Sequence, residues 1–134
     1  MSDTISVQVN QVGPSTSEGI VRGHHRVLVD RPPAKGGEDQ GAMGGELLLV
    51  ALGGCFMSTL LAAIRAREAD VSDVRIEVIG TLGSNPGRYT GVKMKIAADY
   101  SDKEQMTKLV TIAERGCLVA NTLKEAVKLS LSIE

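Results

Sequence analysis

Aromatic side chains are nearly missing, with one Phe, two Tyr and no Trp among 134 residues. That leaves little on which nucleic-acid bases could stack. Excess charge is missing too: 15 Lys and Arg stand against 16 Asp and Glu, for a formal net charge of -1. Such a balance gives no general pull toward a phosphate backbone, so a nucleic-acid partner is not expected. Only two cysteines occur, too few for a disulfide framework. The opening Met1-Ser2-Asp3-Thr4 has no basic segment leading into an apolar run, so neither a secretory leader nor a membrane partner is expected and the setting reads as cytoplasmic. In that compartment the cysteines are expected to be reduced, reactive or metal-bound rather than a standing disulfide.

What is present is 43% hydrophobic residues and fifteen glycines. The length predicts one domain over 1–134, with a core built from Leu, Val, Ile, Ala and Met. Three stretches follow from the pattern: N-terminal strands and a loop over 1–45, a central helix over 46–68, and a hairpin, helices and a closing strand over 73–134. Ile5, Val7 and Val9 alternate with polar residues, and Val21 to Val29 resumes strand character after a polar loop from Gln11 to Gly19. Pro32-Pro33 with Gly36, Gly37 and Gly41 excludes a helix or central strand and predicts a long loop.

No charge interrupts Leu47 to Ile64, a length at which a membrane span must be weighed. Gly53-Gly54-Cys55 and Ser58-Thr59 lower its apolarity and amphipathic strands flank it, so a buried helix is the better reading. A helix apolar all round needs cover all round, and a second subunit is the natural source. Val74, Ile76 and Val78 alternate, Ser84 to Gly87 supplies a turn, and Val92, Met94 and Ile96 alternate again, which predicts an antiparallel hairpin with one wet face. Ser101 with Glu104 has capping-box spacing before a helical stripe that ends near Gly116. Leu118 to Ala126 suits another helix, and Val127, Leu129, Leu131 and Ile133 alternate as a closing strand. The fold class is therefore α+β.

Chemistry concentrates at the two thiols. Helical spacing gives Cys55 the mostly apolar neighbours Leu48, Ala51, Leu52, Ser58, Thr59 and Ala62, and burial of that kind raises a thiol pKa unless a cation or hydrogen-bond donor lies close. Cys117 stands at the expected start of a helix, whose N–H groups and dipole favour a thiolate, so Cys117 is the more reactive setting on sequence grounds. Taken singly, each reads first as a small buried core residue, and only their contexts together favour chemistry. His24 and His25 are adjacent on an expected strand, face opposite ways, and are not expected to share a metal ion. The glycines from Gly36 to Gly45 lack the Lys-Ser/Thr ending of a phosphate cradle. Neither a metal nor a cofactor is expected.

The run Gly44-Gly45-Glu46-Leu47-Leu48-Leu49-Val50-Ala51-Leu52-Gly53-Gly54-Cys55, with Gly116-Cys117-Leu118-Val119-Ala120-Asn121-Thr122-Leu123 downstream, resembles the OsmC/Ohr family of hydroperoxide-reducing proteins. The resemblance implies antiparallel sheets wrapped around central helices in an intertwined homodimer, with active sites at the subunit interface. It implies that Cys55 attacks an organic hydroperoxide to give a sulfenic acid, that Cys117 resolves it as a disulfide, and that a dithiol reductant restores both. A stress-response antioxidant role goes with it. Departures are visible. The family glutamate ten positions before the peroxidatic cysteine is Gly45 here, with Glu46 one step nearer; Glu46 either acts across the dimer or caps its helix. The family's activating arginine comes from an early strand, for which Arg22 and Arg26 are candidates on one strand face, each equally readable as a solvated side chain. Leu118 stands where a proline often follows the second cysteine. A non-catalytic dimer that binds a small hydrophobic ligand or partner is the alternative.

Overall fold

The computed structural model describes residues 3–125 and 129–132. They form two compact units, Met1–Leu48 and Leu49–Glu134. The first holds an antiparallel sheet of β1 (Gln8–Gln11), β2 (Ser17–Val21) and β3 (His25–Val29) in that order. Val9 pairs with Gly19, and Ser17 with Val29.

The expected single strand from Val21 to Val29 is two strands. Arg22 and Gly23 both take left-handed φ angles, 51° and 75°, and the His24 N–H donates to the Val21 carbonyl at 3.3 Å, which closes a tight turn. Gly23 adopts that backbone without penalty. A turn this short preserves the apolar alternation on either side, which is why it reads as continuous strand. Strand β2 starts inside the expected loop, and His24 lies in the turn, so the rings of His24 and His25 meet at 4.1 Å instead of facing apart.

Beyond β3 the chain turns on Asp30, which is only 3% exposed. Its carboxylate accepts from the Arg31 N–H at 2.7 Å, the Gln40 N–H at 3.1 Å and the Thr16 hydroxyl at 2.8 Å. Those bonds tie the β1–β2 loop to both ends of the Pro/Gly segment. The segment carries one 3-10 turn, Pro33–Lys35, where helix had been excluded: Pro occupies its first position, which needs no N–H donor. A Cβ at Gly37 would overlap the Arg31 carbonyl and one at Gly41 the Leu28 carbonyl, so these glycines let the loop close on β3.

In the second unit β4 (Val71–Gly83) and β5 (Arg88–Tyr100) form the expected hairpin, with Ile76 opposite Ile96 and Val78 opposite Met94. These residues pack on the core with Val74 and Ala98. Helix α1 (Gly44–Ala66) buries Leu52, Gly53, Phe56, Leu60 and Ala63, a stripe at helical spacing. A Cβ on Gly53 would lie 2.9 Å from Val78 Cγ2, so glycine sets the closeness of α1 to β4. Helix α2 (Lys103–Gly116) adds Met106, Leu109 and Ala113, and α3 (Leu118–Glu125) adds Ala120. The α2 cap is Asp102, whose side chain accepts from the Glu104 and Gln105 N–H groups, while Ser101 donates to Asp70 at 3.1 Å. The capping-box spacing from Ser101 was therefore one residue early; a carboxylate accepts two N–H bonds where a hydroxyl must compete. Of the expected closing strand, Val127 and Ile133 lie outside the described residues, and among the described residues Leu129 and Leu131 lie outside any strand. Only 22% of the most apolar stretch of α1 is buried, although that helix is long and apolar enough to cross a membrane.

Burial alone would raise the Asp30 pKa, but the bonds from Arg31, Thr16 and Gln40 outweigh it and hold the carboxyl below the usual carboxylate range. A depressed folded pKa contributes stability that is complete above the unfolded value of about 3.9 and is lost as pH falls through the folded value. Thermal melts followed by circular dichroism should give a falling midpoint between about pH 5 and pH 2. Asp30→Asn should lower the neutral-pH midpoint and flatten that acid slope.

Candidate active site

The chain breaks between α2 and α3 at one residue. Cys117 has an extended backbone, φ -83° and ψ 109°; its N–H closes α2 on the Glu114 carbonyl at 3.4 Å and its carbonyl accepts the first α3 bond, from Asn121 N–H at 3.0 Å. Its sulfur accepts from the Ala120 N–H at 3.4 Å, the bond an N-cap side chain makes to the third helical residue. Cys117 is fully buried. The Leu118 and Val119 N–H groups, in the same first turn of α3, act as donors toward the Cys55 thiol on α1.

Both cysteines are free thiols, Cys55 partly exposed. The Val119 N–H is the largest influence on Cys55; burial opposes it, and the Cys117 thiol and Leu118 N–H add to it, so the Cys55 pKa is lowered. For Cys117 burial comes first and raises the pKa; the Ala120 N–H opposes it, and the neighbouring Cys55 sulfur raises it further. Of the two thiols, Cys55 is thus the one that ionises more readily, and the Cys117 thiol is a donor to it. The sequence reading placed the helix N-terminus correctly but gave its benefit to the wrong sulfur. Cys117 occupies the cap position, where burial and the neighbouring Cys55 sulfur outweigh the Ala120 and Val119 donors, whereas at Cys55 the Val119 and Leu118 donors outweigh burial. Those two backbone groups are the site members that sequence reasoning missed, and the signal for them was the break after Gly116 that also marks the helix start.

The other three candidates do different work. Glu46 accepts from the Met43 N–H at 2.8 Å, reaching back from the third helical position, so it caps α1. Nine residues at about 100° each also place it half a turn from Cys55 around that continuous helix. Arg26 pairs with Glu18 across the β2–β3 ladder at 2.8 Å, and Arg22 lies in the turn. The two arginines thus do not share a strand face, because the turn resets the alternation between them; both belong to the Met1–Leu48 unit.

Removing one N–H tests this geometry. Leu118 is the first residue of α3, where proline is tolerated, and the extended backbone of Cys117 suits a following proline. In Leu118→Pro the iodoacetamide rate at Cys55 near neutral pH should drop several-fold, with its pH profile moved upward. Peptide mass mapping of the wild type should find Cys55 alkylated at lower pH than a free cysteine and Cys117 much more slowly; faster labelling of Cys117 would reverse the assignment.

Comparison with known proteins places these features in a family. No curated protein matches the sequence. Among solved structures, an OsmC-like protein of Mycoplasma pneumoniae is 18% identical with a TM-score of 0.73, covering 92% of this chain and 89% of its own. An organic hydroperoxide resistance protein of Elizabethkingia anophelis is 19% identical with a TM-score of 0.67, covering 92% and 91%. The organic hydroperoxide resistance protein OhrB of Bacillus subtilis is 19% identical with a TM-score of 0.64, covering 90% and 91%. At these identities the likeness is one of fold. The sequence itself, over residues 37–132, matches the family described as OsmC-like protein, and the chain belongs to that family.

Proposed function

We propose that the protein is a cytoplasmic thiol-dependent peroxidase that reduces organic hydroperoxides. The observation that carries this reading is a pair of neighbouring free thiols, Cys55 partly exposed on α1 and Cys117 buried at the cap of α3, and the lowered pKa of the first and raised pKa of the second fit it. The Cys55 thiolate attacks the terminal oxygen of the hydroperoxide; the O–O bond breaks, the alkoxide takes a proton and leaves as an alcohol, and Cys55 becomes a sulfenic acid. Cys117 then attacks the sulfenic sulfur, water leaves, and a disulfide forms. A dithiol reductant exchanges with that disulfide and regenerates both thiols. Gly45 carries no carboxylate to assist, and the backbone donors from α3 take over the stabilisation of the attacking sulfur.

Reduced protein mixed with an equimolar alkyl hydroperoxide should lose two thiols and two mass units as an intramolecular disulfide, and Cys55→Ser should lose neither. Persistence of both thiols would remove the peroxidase reading and leave the non-catalytic ligand-binding dimer.

The partner proposed for α1 is a second copy. Val50 is 65% exposed, and Leu48 and Leu61 are about equally half-exposed, on a helix with little cover of its own. Burial of such a surface is the driving force of obligate dimers. Light scattering should return about twice the 14.1 kDa chain mass, and Val50→Glu should shift the population toward monomer.

A further inference from the structure

The donors that serve Cys55 belong to α3, whereas the sulfur belongs to α1, so their separation depends on how closely the α2–α3 junction approaches α1. One contact sets that approach. A Cβ built on Gly116 would lie only 3.0 Å from Thr59 Cγ2. Thr59 is one turn beyond Cys55 on the same face of α1, and its hydroxyl is committed to the Cys55 carbonyl at 3.1 Å, which fixes the rotamer that turns the methyl to Gly116. Among the described residues the glycines with left-handed φ are Gly23 and Gly36. Gly116 is therefore a glycine for reasons of space and not of backbone conformation. Leu118 and Val119 follow it by two and three residues, so a lift at Gly116 is passed to their N–H groups with little chain in between to absorb it. The Asn121 side chain donates to the Arg115 carbonyl at 3.1 Å, and Lys124 pairs with Glu114 at 2.8 Å, which fixes α3 against α2.

We propose that the Gly116–Thr59 contact is a spacer that holds the first turn of α3 within reach of the Cys55 sulfur, and that Gly116 and Thr59 are positioning residues for that nucleophile. The proposal rests on the reading of Cys55 as the attacking thiol. The lowered Cys55 pKa fits it, since backbone donors and the Cys117 thiol are what lower it. The charged groups beside the junction leave the effect to them: Glu114 pairs with Lys124 and also feels Arg115, none of the three is among the influences on Cys55, and β4 and β5 contribute apolar Val78 and Met94 to the core.

The test is the pH dependence of Cys55 alkylation by iodoacetamide, read by peptide mass mapping. Gly116→Ala should slow alkylation near neutral pH by roughly tenfold, the loss expected when charged hydrogen bonds lengthen, while the plateau at high pH stays at the wild-type rate. Alanine favours helix over glycine, so the thermal midpoint should hold or rise as reactivity falls, which a merely structural role would not produce. Thr59→Ser removes the methyl and keeps the hydroxyl; added to Gly116→Ala it should restore the neutral-pH rate. Thr59→Ile loads the same contact from the α1 side and should reproduce the defect, which covers the case in which Gly116→Ala does not fold. An unshifted profile in a folded Gly116→Ala or Thr59→Ile protein, or a failure of Thr59→Ser to restore the rate, overturns the spacer. Alkylation involves no peroxide, so a shifted profile in a protein inert to hydroperoxide would remove the peroxidase reading and leave the spacer standing.

Discussion

Every α-helix begins with N–H groups that its own backbone cannot satisfy. At the start of α3 three of them meet two sulfurs: Ala120 bonds to Cys117, Leu118 serves Cys55, and Val119 acts on both. One sulfur caps the helix and the other shares its first-turn donors. The packing of the second unit serves this arrangement. Buried Leu52, Phe56 and Leu60 hold α1 in the core, Leu109 and Ala113 hold α2, and the chain turns at Cys117 with no intervening loop. A longer connection would have separated the two thiols; a continuous helix would have had no free N–H groups to offer.

The first unit rests on a carboxylate used in the same manner. Asp30 gathers two N–H groups and a hydroxyl from segments far apart in sequence, so a stretch rich in proline and glycine acquires a fixed course without regular structure. Both units therefore place an acidic side chain where backbone donors converge and lower its pKa. The difference lies in exposure: Asp30 is sealed, whereas Cys55 is partly open.

Much of this was legible in the sequence. The β4–β5 hairpin and the stripes of α1 and α2 followed from periodicities of 2 and 3.6, and the two cysteines were marked by their contexts. Three things were not legible, each for a physical reason. The turn at Arg22-Gly23 is too short to interrupt an alternating pattern, and missing it placed two arginines on a common face that they do not share. Asp102 and Ser101 are both good caps, and only geometry tells which accepts the bonds. The ordering of the two thiols depended on donors that belong to the backbone, which carries no letter in the sequence; position along α3 could be inferred, but the recipient across the helix packing could not.

Because two of the donors that lower the Cys55 pKa are peptide N–H groups, almost no side-chain substitution at Leu118 or Val119 deletes them, and drift at those positions is free to reshape the surroundings of the sulfur without removing them. Leu118, 63% exposed, is such a position. A carboxylate or guanidinium helper would be lost in a single codon change. The arrangement here concentrates its fragility in proline and in the few small residues that set distances, and elsewhere leaves the site open to variation.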